Sequence, residues 1–504
     1  MSPPKSTTRR LPPPSPQMET AVVAAFAAAR NAQRLWAHRP LPERLTVLRR
    51  FRGLLARQAV PLAATVRRPV CETLTAQLVP LADACRFIER TASAILRPRP
   101  LGVAGRPPWL WGVRSEVRRE PLGVVLILTP SNYPLFLPGV QVLQALAMGN
   151  AVVLKPSPEG QSAAVALAEL LTQAGLDPRL LGLLPVAVES VGAAIQRHPD
   201  KILLTGSAES GRSVLRAASS HLIPCTLELS GNDAVFVRSD ASLERVVEAL
   251  LFGLRLNDGA TCIAPRRVFA HRSVHAELES RLATALPSLA PIPIAERQRE
   301  RLVPLVLAAR ARGAILLGSD RVGEDLSSGP VIVSRATVGM RLMQEDLFAP
   351  VLSLMAVEDD AEALGAAAHC PYALGASIFT RDVAAGLDLA ARVSAGVVSL
   401  NDLILPTADP RVPFGGRGAS GFGLTRGREG MEELTRIKVV AVRRGRWMPH
   451  LEPAREGDDE LFAASLEWTH GTRLSLRWRA LLRLVRAAWR RRHQPFVRQE
   501  SISP

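Results

Sequence analysis

The chain has 504 residues, 47% hydrophobic and 22% charged, with 63 basic against 46 acidic side chains and a net charge of +17. That length and composition can bury a large interior in more than one domain, which excludes the disordered, collagen-like and disulfide-scaffold classes. Four of the basic residues are lysines (Lys5, Lys155, Lys201, Lys438) and 59 are arginines, a bias that makes the position of each lysine informative, while the charge excess raises nucleic acid or an anionic membrane as partner.

Residues 1–17 hold six prolines and three basic residues and read as a disordered arm. No apolar leader-type segment follows, so none is expected. Residues 18–97 carry an alanine-rich helical pattern. Residues 98–118, with Trp109 and Trp111, read as extended. The uncharged run up to Lys155 has the length of a membrane span. Pro130, Pro134, Pro138, Asn132 and Gly139 interrupt it, so buried strand, turn and helix are expected instead, in a soluble chain. Strands at 124–128, 151–154, 180–185 and 201–204 alternate with helices at 135–148 and 161–174, the rhythm of βαβ units and a mainly parallel sheet. A second α/β stretch runs from about 238 to 432, and 437–442 reads as a late strand.

Beyond residue 446 the composition changes. Residues 448–470 are mixed and acidic, whereas 473–498 hold nine arginines and no acid. On a helical wheel Leu474, Trp478, Leu481, Leu482, Val485 and Trp489 fall within roughly 100°, with most arginines opposite. Such a helix either docks its stripe on its own or a neighbouring subunit, or lies on a membrane surface. No reading motif supports nucleic acid. The five cysteines are scattered without zinc or redox spacing and are expected to be reduced thiols of a cytoplasmic chain. No internal repeat is found.

Four islands could carry chemistry. Thr129-Pro-Ser-Asn-Tyr-Pro134 follows a buried strand, where Asn132 is either a turn residue or an amide aimed at a developing oxyanion. Val152-Val-Leu-Lys-Pro-Ser157 ends a strand in Lys155, either solvated or set to meet a ribose hydroxyl or phosphate. Leu204-Thr-Gly-Ser-Ala-Glu-Ser-Gly211 is a strand–turn–helix in which Gly206 allows a tight turn and Ser207 caps a helix or holds a phosphate; its spacing is not that of the dinucleotide fingerprint. Glu228 sits in Leu227-Glu-Leu-Ser-Gly-Asn232, where burial raises its pKa toward a useful base, and Cys262 sits in Asn257-Asp-Gly-Ala-Thr-Cys-Ile263, as core packing or as a nucleophile.

In this order the islands resemble the motifs of the aldehyde dehydrogenase superfamily, over about residues 20–445. Glu228-Leu-Ser-Gly231 is similar to its glutamate box and Gly259-Ala-Thr-Cys262 to its cysteine box. Glu345-Asp-Leu-Phe-Ala-Pro-Val351 resembles its Glu-x-Phe-Gly-Pro box, and Pro413-Phe-Gly-Gly-Arg-Gly-Ala-Ser-Gly-Phe-Gly423 its late glycine-rich box. The resemblance implies an α/β fold: a Rossmann-like parallel-sheet NAD(P)-binding domain (18–97 and 119–229), an α/β catalytic domain (230–432), oligomerisation strands (98–118 and 433–446) and a C-terminal extension (447–504).

It also implies oxidation of an aldehyde to a carboxylic acid with NAD or NADP and no metal. Cys262 would be the nucleophile, Glu228 the base for the hydrolytic water, and Asn132 with the Cys262 N–H the oxyanion hole. Lys155, Ser157, Gly206, Ser207, Gly211, Asp346 and Phe348 would line the cofactor. Departures from the family are Ser131 for tryptophan, Asp346 for glutamate, Ser230 and Ala349 for glycines, and Ala260 for glutamine. Pro158 replaces the ribose-binding glutamate of NAD-preferring members, which implies NADP or dual use, although Glu159 lies next door. A CoA-acylating relative and a scaffold with this fold are the alternatives. A homodimer or homotetramer is implied, with residues 473–492 as a candidate peripheral membrane contact and no nucleic acid expected. The substrate aldehyde is not legible, since no arginine pair marks a carboxylated one.

Overall fold

The computed structural model describes residues 12–317, 326–446 and 448–491. Most of the expected arm, and 492–498 of the arginine-rich run, lie outside them. Within residues 12–17 the expectation of disorder is corrected. Helix α1 (Pro16–His38) begins there, with Ser15 accepting a hydrogen bond from the Met18 N–H and Pro16 at the first helical position. Ser-Pro is a helix-start signal that the proline count masked.

The described residues divide into two compact units, one of 12–98 with those of 118–438, the other of 99–117 with those of 439–491. In the first unit α1, α2 (Leu41–Arg57) and α3 (Val79–Leu96) cover a six-stranded sheet. Its parallel strands are β2 (Val124–Leu128), β3 (Ala151–Lys155), β4 (Leu181–Leu183), β5 (Lys201–Gly206) and β6 (Cys225–Leu229). All five residues of β2 are buried, as expected of a strand with both faces covered. Between β2 and β3 runs α4 (Phe136–Ala147), every residue of which is buried. The absence of charge over this stretch is therefore explained by helix and strand inside a domain. No described helix is long and apolar enough to cross a membrane.

From the central β2 the chain builds outward to β3 and β4 on one side and to β5 and β6 on the other. The crevice at the carboxyl ends of β2 and β5 is thus a topological switch point, the place where such sheets bind ligands. The sixth strand comes from far along the chain. It is β14 (Gly421–Phe422), antiparallel to β6 with Gly421 opposite Glu228. A two-residue strand has no alternation to read, so the late glycine-rich segment carried no strand signal. Gly421 has φ +97°, and a Cβ there would lie 2.0 Å from the Leu227 carbonyl oxygen, so only glycine fits.

After β6 a second sheet begins with β7 (Asp233–Val237). With β8 (Pro265–His271), β9 (Ile315–Leu317), β10 (Val331–Ser334), β11 (Val351–Val357), β12 (Gly375–Phe379) and β13 (Val397–Leu400) it runs in the order β9-β10-β11-β8-β7-β12-β13, parallel except for β9. Separate apolar clusters pack its two faces.

The second unit holds a three-stranded sheet of Arg99–Pro100, β1 (Val113–Pro121) and β15 (Thr435–Arg443), whose longer strands run on past the unit's boundary. It also holds a helical hairpin, α9 (Asp458–His470) and α10 (Leu474–Arg491). The acidic stretch is thus helical, with Asp458, Asp459 and Glu460 in the first turn, where the helix dipole favours them. Buried Ala464, Ala480 and Ala487 allow close packing, and Arg491 bridges Asp458 at 2.6 Å and Glu452 at 2.8 Å. The opposite face of α10 leaves Leu474, Trp478, Leu482, Val485 and Trp489 exposed, the two tryptophans at 67% and 68%.

Candidate active site

The loop after β2 carries Asn132, which is buried. Its Nδ2 donates to the Ala260 carbonyl at 3.1 Å. An amide has two N–H groups, so spending one on Ala260 fixes the direction of the other. Asn257 Nδ2 donates to the backbone carbonyls of both Asn132 and Ala260, each at 3.1 Å, and so clamps this loop to the one bearing the cysteine. The Tyr133 hydroxyl and Thr261 Oγ1, 2.6 Å apart, add a further tie.

The cysteine loop follows α7 (Leu243–Arg255) and is coiled by three consecutive left-handed residues, Asn257 (φ +53°), Asp258 (φ +54°) and Gly259 (φ +70°). Asparagine and aspartate tolerate that region and glycine is at ease in it. A Cβ on Gly259 would come within 2.6 Å of Pro350, and the buried Arg266 guanidinium donates to the carbonyls of Gly259 and Ala349. The cysteine and Asp346 loops are thereby fastened together. Half-buried Cys262 emerges from this turn. Desolvation pushes its thiol pKa up, the Glu228 and Asp233 carboxyls push the same way, and the Arg426 guanidinium opposes them.

Glu228 lies near the end of β6 at 3% exposure. Burial raises its pKa, countered by Arg426 and by a hydrogen bond with Thr425. The Thr425 hydroxyl is 2.9 Å from Glu228 Oε2 and 3.1 Å from the Phe414 carbonyl. The hydroxyl is the donor toward both oxygens, and its one proton can serve only one of them at a time. Oε1 has no partner. Cys262 and Glu228 open onto one cavity of about 260 Å³, lined mainly by apolar side chains including Phe136, Phe252, Ile404 and Phe414. A carboxyl whose pKa is raised by burial, opening onto the same cavity as a thiol, can move protons for chemistry at sulfur.

The cofactor candidates divide. Lys155 ends β3 half-buried, with its pKa lowered by desolvation, and no carboxylate among the described residues pairs with it. Ser207 caps α6 (Ala208–Ser219), its Oγ accepting from the Ser210 N–H at 3.1 Å. These two flank the switch-point crevice, and the open N-terminus of α6 suits a phosphate.

The other candidates are also engaged within the protein itself. Gly206 has no left-handed backbone, and a Cβ there would make only ordinary contacts, so the turn does not demand glycine. Gly211 is buried, and a Cβ would press to 2.7 Å from Leu229; its role is the close packing of α6 on β6. Ser157 Oγ donates to the Pro130 carbonyl at 3.2 Å and accepts from the Gly160 N–H at 3.1 Å, so it braces the loops. Asp346 is buried, its Oδ1 accepting from the Phe348 N–H at 2.9 Å and its carboxyl also bonding the Ser230 hydroxyl. Its acceptors are thus partly used within the protein. Half-buried Phe348 follows it at φ +49°.

Sequence reasoning missed Thr425, Arg426 and Asn257. The first two lie just beyond the glycine-rich segment at 413–423, and one arginine among 59 does not stand out. Asn257 opens the quoted cysteine segment, but its use as a clamp depends on a distant loop.

Comparison with known proteins gives a consistent answer. The aldehyde dehydrogenase family profile matches residues 14–440. A Mycolicibacterium smegmatis protein named "Putative succinate-semialdehyde dehydrogenase [NADP(+)]" is 32% identical over 441 residues, 84% of each chain. Peroxisomal aminoaldehyde dehydrogenase 1 of Pisum sativum is 30% identical over 348 residues, 65% of this chain and 68% of its own. Among solved structures, the NADP complex of NADP-dependent glyceraldehyde-3-phosphate dehydrogenase from Bacillus halodurans superposes with a TM-score of 0.78 at 26% identity, covering 85% of this chain and 92% of its own.

Proposed function

The chain belongs to the aldehyde dehydrogenase family, and from that premise we propose that Cys262, Glu228 and Asn132 carry its reaction. The protein is an NAD(P)-dependent aldehyde dehydrogenase, an oxidoreductase that converts an aldehyde to a carboxylic acid. The crevice fits the cofactor: an unpaired half-buried lysine and an open helix N-terminus flank it. Lys155 would hold the ribose and Ser207, with the α6 N–H groups, the pyrophosphate. Asp346 would reach the second ribose with whatever acceptor capacity Ser230 and Phe348 leave. Bound there, the cofactor supplies the hydride acceptor.

Cys262 Sγ adds to the aldehyde carbon once its proton has passed to Glu228 and on to solvent, and the carbonyl oxygen becomes the oxyanion. The free N–H of the Asn132 amide and the Cys262 backbone N–H stabilise it. Loss of hydride leaves an acyl thioester on Cys262. Glu228 then takes a proton from water, the hydroxide adds to the thioester, and the acid departs as the thiol is restored. One observation carries this reading, the opening of Cys262 and Glu228 onto a single cavity. Replacing Cys262 with alanine should abolish aldehyde-dependent formation of reduced cofactor; undiminished turnover would refute the mechanism.

We also propose a cytoplasmic homodimer or homotetramer, supported by five free thiols and by exposed Ile437 and Val439 on β15. The α10 stripe, flanked by Arg479, Arg483, Arg486 and Arg490, is proposed to lie on an anionic membrane surface, where tryptophans and arginines are both favoured.

A further inference from the structure

The wall of the cavity onto which Cys262 and Glu228 open includes one cation among the described residues, Arg426. Only 6% of this residue is exposed. Its Nη1 donates to the Thr407 carbonyl, and its Nε is buried without a partner. Among the described residues it makes no ion pair. A guanidinium enclosed in this way holds no ligand by its edge, and what reaches the cavity is its charge. Across a small apolar space that charge is little screened.

The charge is fixed in position. The guanidinium carbon stands 4.1 Å from the centre of the Phe414 ring and 5.7 Å from that of Phe136, so aromatic faces take the place of a carboxylate partner. The backbone at Arg426 has φ +59°, a conformation rare for a side-chain-bearing residue. Phe414 also ties the cation to the acid. Its carbonyl is 3.1 Å from the Thr425 hydroxyl, which is 2.9 Å from Glu228 Oε2. The acids that face this cation are Glu228 on β6 and Cys262 on its loop, and Asp233 on β7 acts on Cys262 through space. Tyr133, also in the wall, is held neutral by burial. An ion alone in an apolar cavity is costly, and a fixed cation offsets one negative charge. The reaction needs that negative charge first on sulfur, as it attacks, and later on Glu228, as water is activated.

We propose that Arg426 is a positioning residue for charge, a buried cation that stabilises the Cys262 thiolate during attack and the Glu228 carboxylate during hydrolysis without touching the substrate. This rests on the assignment of the reaction to Cys262 and Glu228, and it adds a third residue to that pair. Arg426 acts on both from one fixed place, so a single substitution disturbs both steps in the same direction.

The test is the pH dependence of the two steps. Arg426→Met removes the cation, so each anion should form only at higher pH. The midpoint for iodoacetamide alkylation of Cys262, followed by mass spectrometry of its peptide, should rise by about one pH unit. With butanal as the probe aldehyde, stopped-flow absorbance separates formation of reduced cofactor from the slower hydrolytic phase. The midpoint of that second phase should rise as well. Arg426→Lys keeps a charge and should bring both midpoints back toward those of the unaltered enzyme. A residue that only packs the cavity would lower the rates and leave the midpoints in place. Should the methionine variant fail to fold, Arg426→Gln replaces it, since an uncharged amide still donates to the Thr407 carbonyl. Midpoints that do not move, or a lysine variant no different from the uncharged one, overturn the proposal. Unmoved midpoints in a variant that still oxidises butanal remove this inference alone, whereas undiminished turnover in Cys262→Ala removes the parent reading with it.

Discussion

Thr425 and Glu228 are joined by a hydrogen bond of 2.9 Å, although 197 positions separate them in the chain. The threonine also lies 3.1 Å from the Phe414 carbonyl, so a hydroxyl anchored on that backbone fixes the position of the Glu228 carboxyl. Glu228→Gln keeps the shape and removes the base. One equivalent of reduced cofactor per active site should then form rapidly, followed by turnover slowed about 10²–10⁴-fold. Stopped-flow absorbance of the nicotinamide separates the two phases. Thr425→Val should slow only the second phase, and added CoA should not accelerate it.

The thiol and the carboxyl also couple electrostatically. Desolvation chiefly raises the Cys262 pKa, and the Glu228 carboxylate adds to that by opposing the thiolate. Removing a negative neighbour favours the thiolate, so in Glu228→Gln the alkylation of Cys262 should begin at lower pH. Iodoacetamide labelling across a pH series reads this, and a shift toward higher pH would contradict the proximity of the two groups.

Asn257 touches no proposed reacting atom yet holds the Asn132 and Ala260 carbonyls together. Asn132→Ala removes an oxyanion donor and should lower kcat about 10²–10³-fold. Asn257→Ala leaves that donor present but poorly aimed. It should lower kcat by a smaller factor, with cofactor affinity unchanged in fluorescence titration.

Ser230 stands where the family has glycine, Asp346 where it has glutamate, and the two side chains bond each other. Ser230→Gly frees acceptor capacity on Asp346 and should lower the KM for the cofactor. Asp346→Ala should raise it by roughly tenfold, about one hydrogen bond to a charged group. Steady-state kinetics with NAD and NADP in turn measure both.

For the α10 stripe, sedimentation with vesicles decides. The full chain should pellet with phosphatidylserine-containing vesicles and not with phosphatidylcholine alone, and added salt should weaken the effect. Trp478→Ser with Leu482→Ser should release it. Equal pelleting of both forms would refute membrane contact, and an altered oligomeric state in the variant would identify a second copy as the partner.

Much of the site could be read because its residues close regular elements. Lys155 ends a strand whose apolar run is unmistakable, and Glu228 stands out as a lone acid between leucines. Asn132 comes just after an uninterrupted apolar strand and sits between Pro130 and Pro134. What escaped notice lacked periodicity or depended on distance. The β14 strand is two residues long, and Arg426 matters because of Phe136 and Phe414, which are remote in sequence. Gly206 and Gly211 look alike on paper. Only the packing of Leu229 reveals that the second is steric while the first has room to spare.

The pairing of Gly421 with Glu228 has a consequence for synthesis. A ribosome delivers the parallel strands of the first sheet early, but that sheet stays one strand short through nearly two hundred further residues. Over the same interval Glu228 lacks the threonine that satisfies it, and the Cys262 pocket lacks its wall of Phe414 and Arg426. The thiol thus enters its working environment at a late stage of translation, and a chain cut short before residue 413 would hold every motif of the first half without a finished active site.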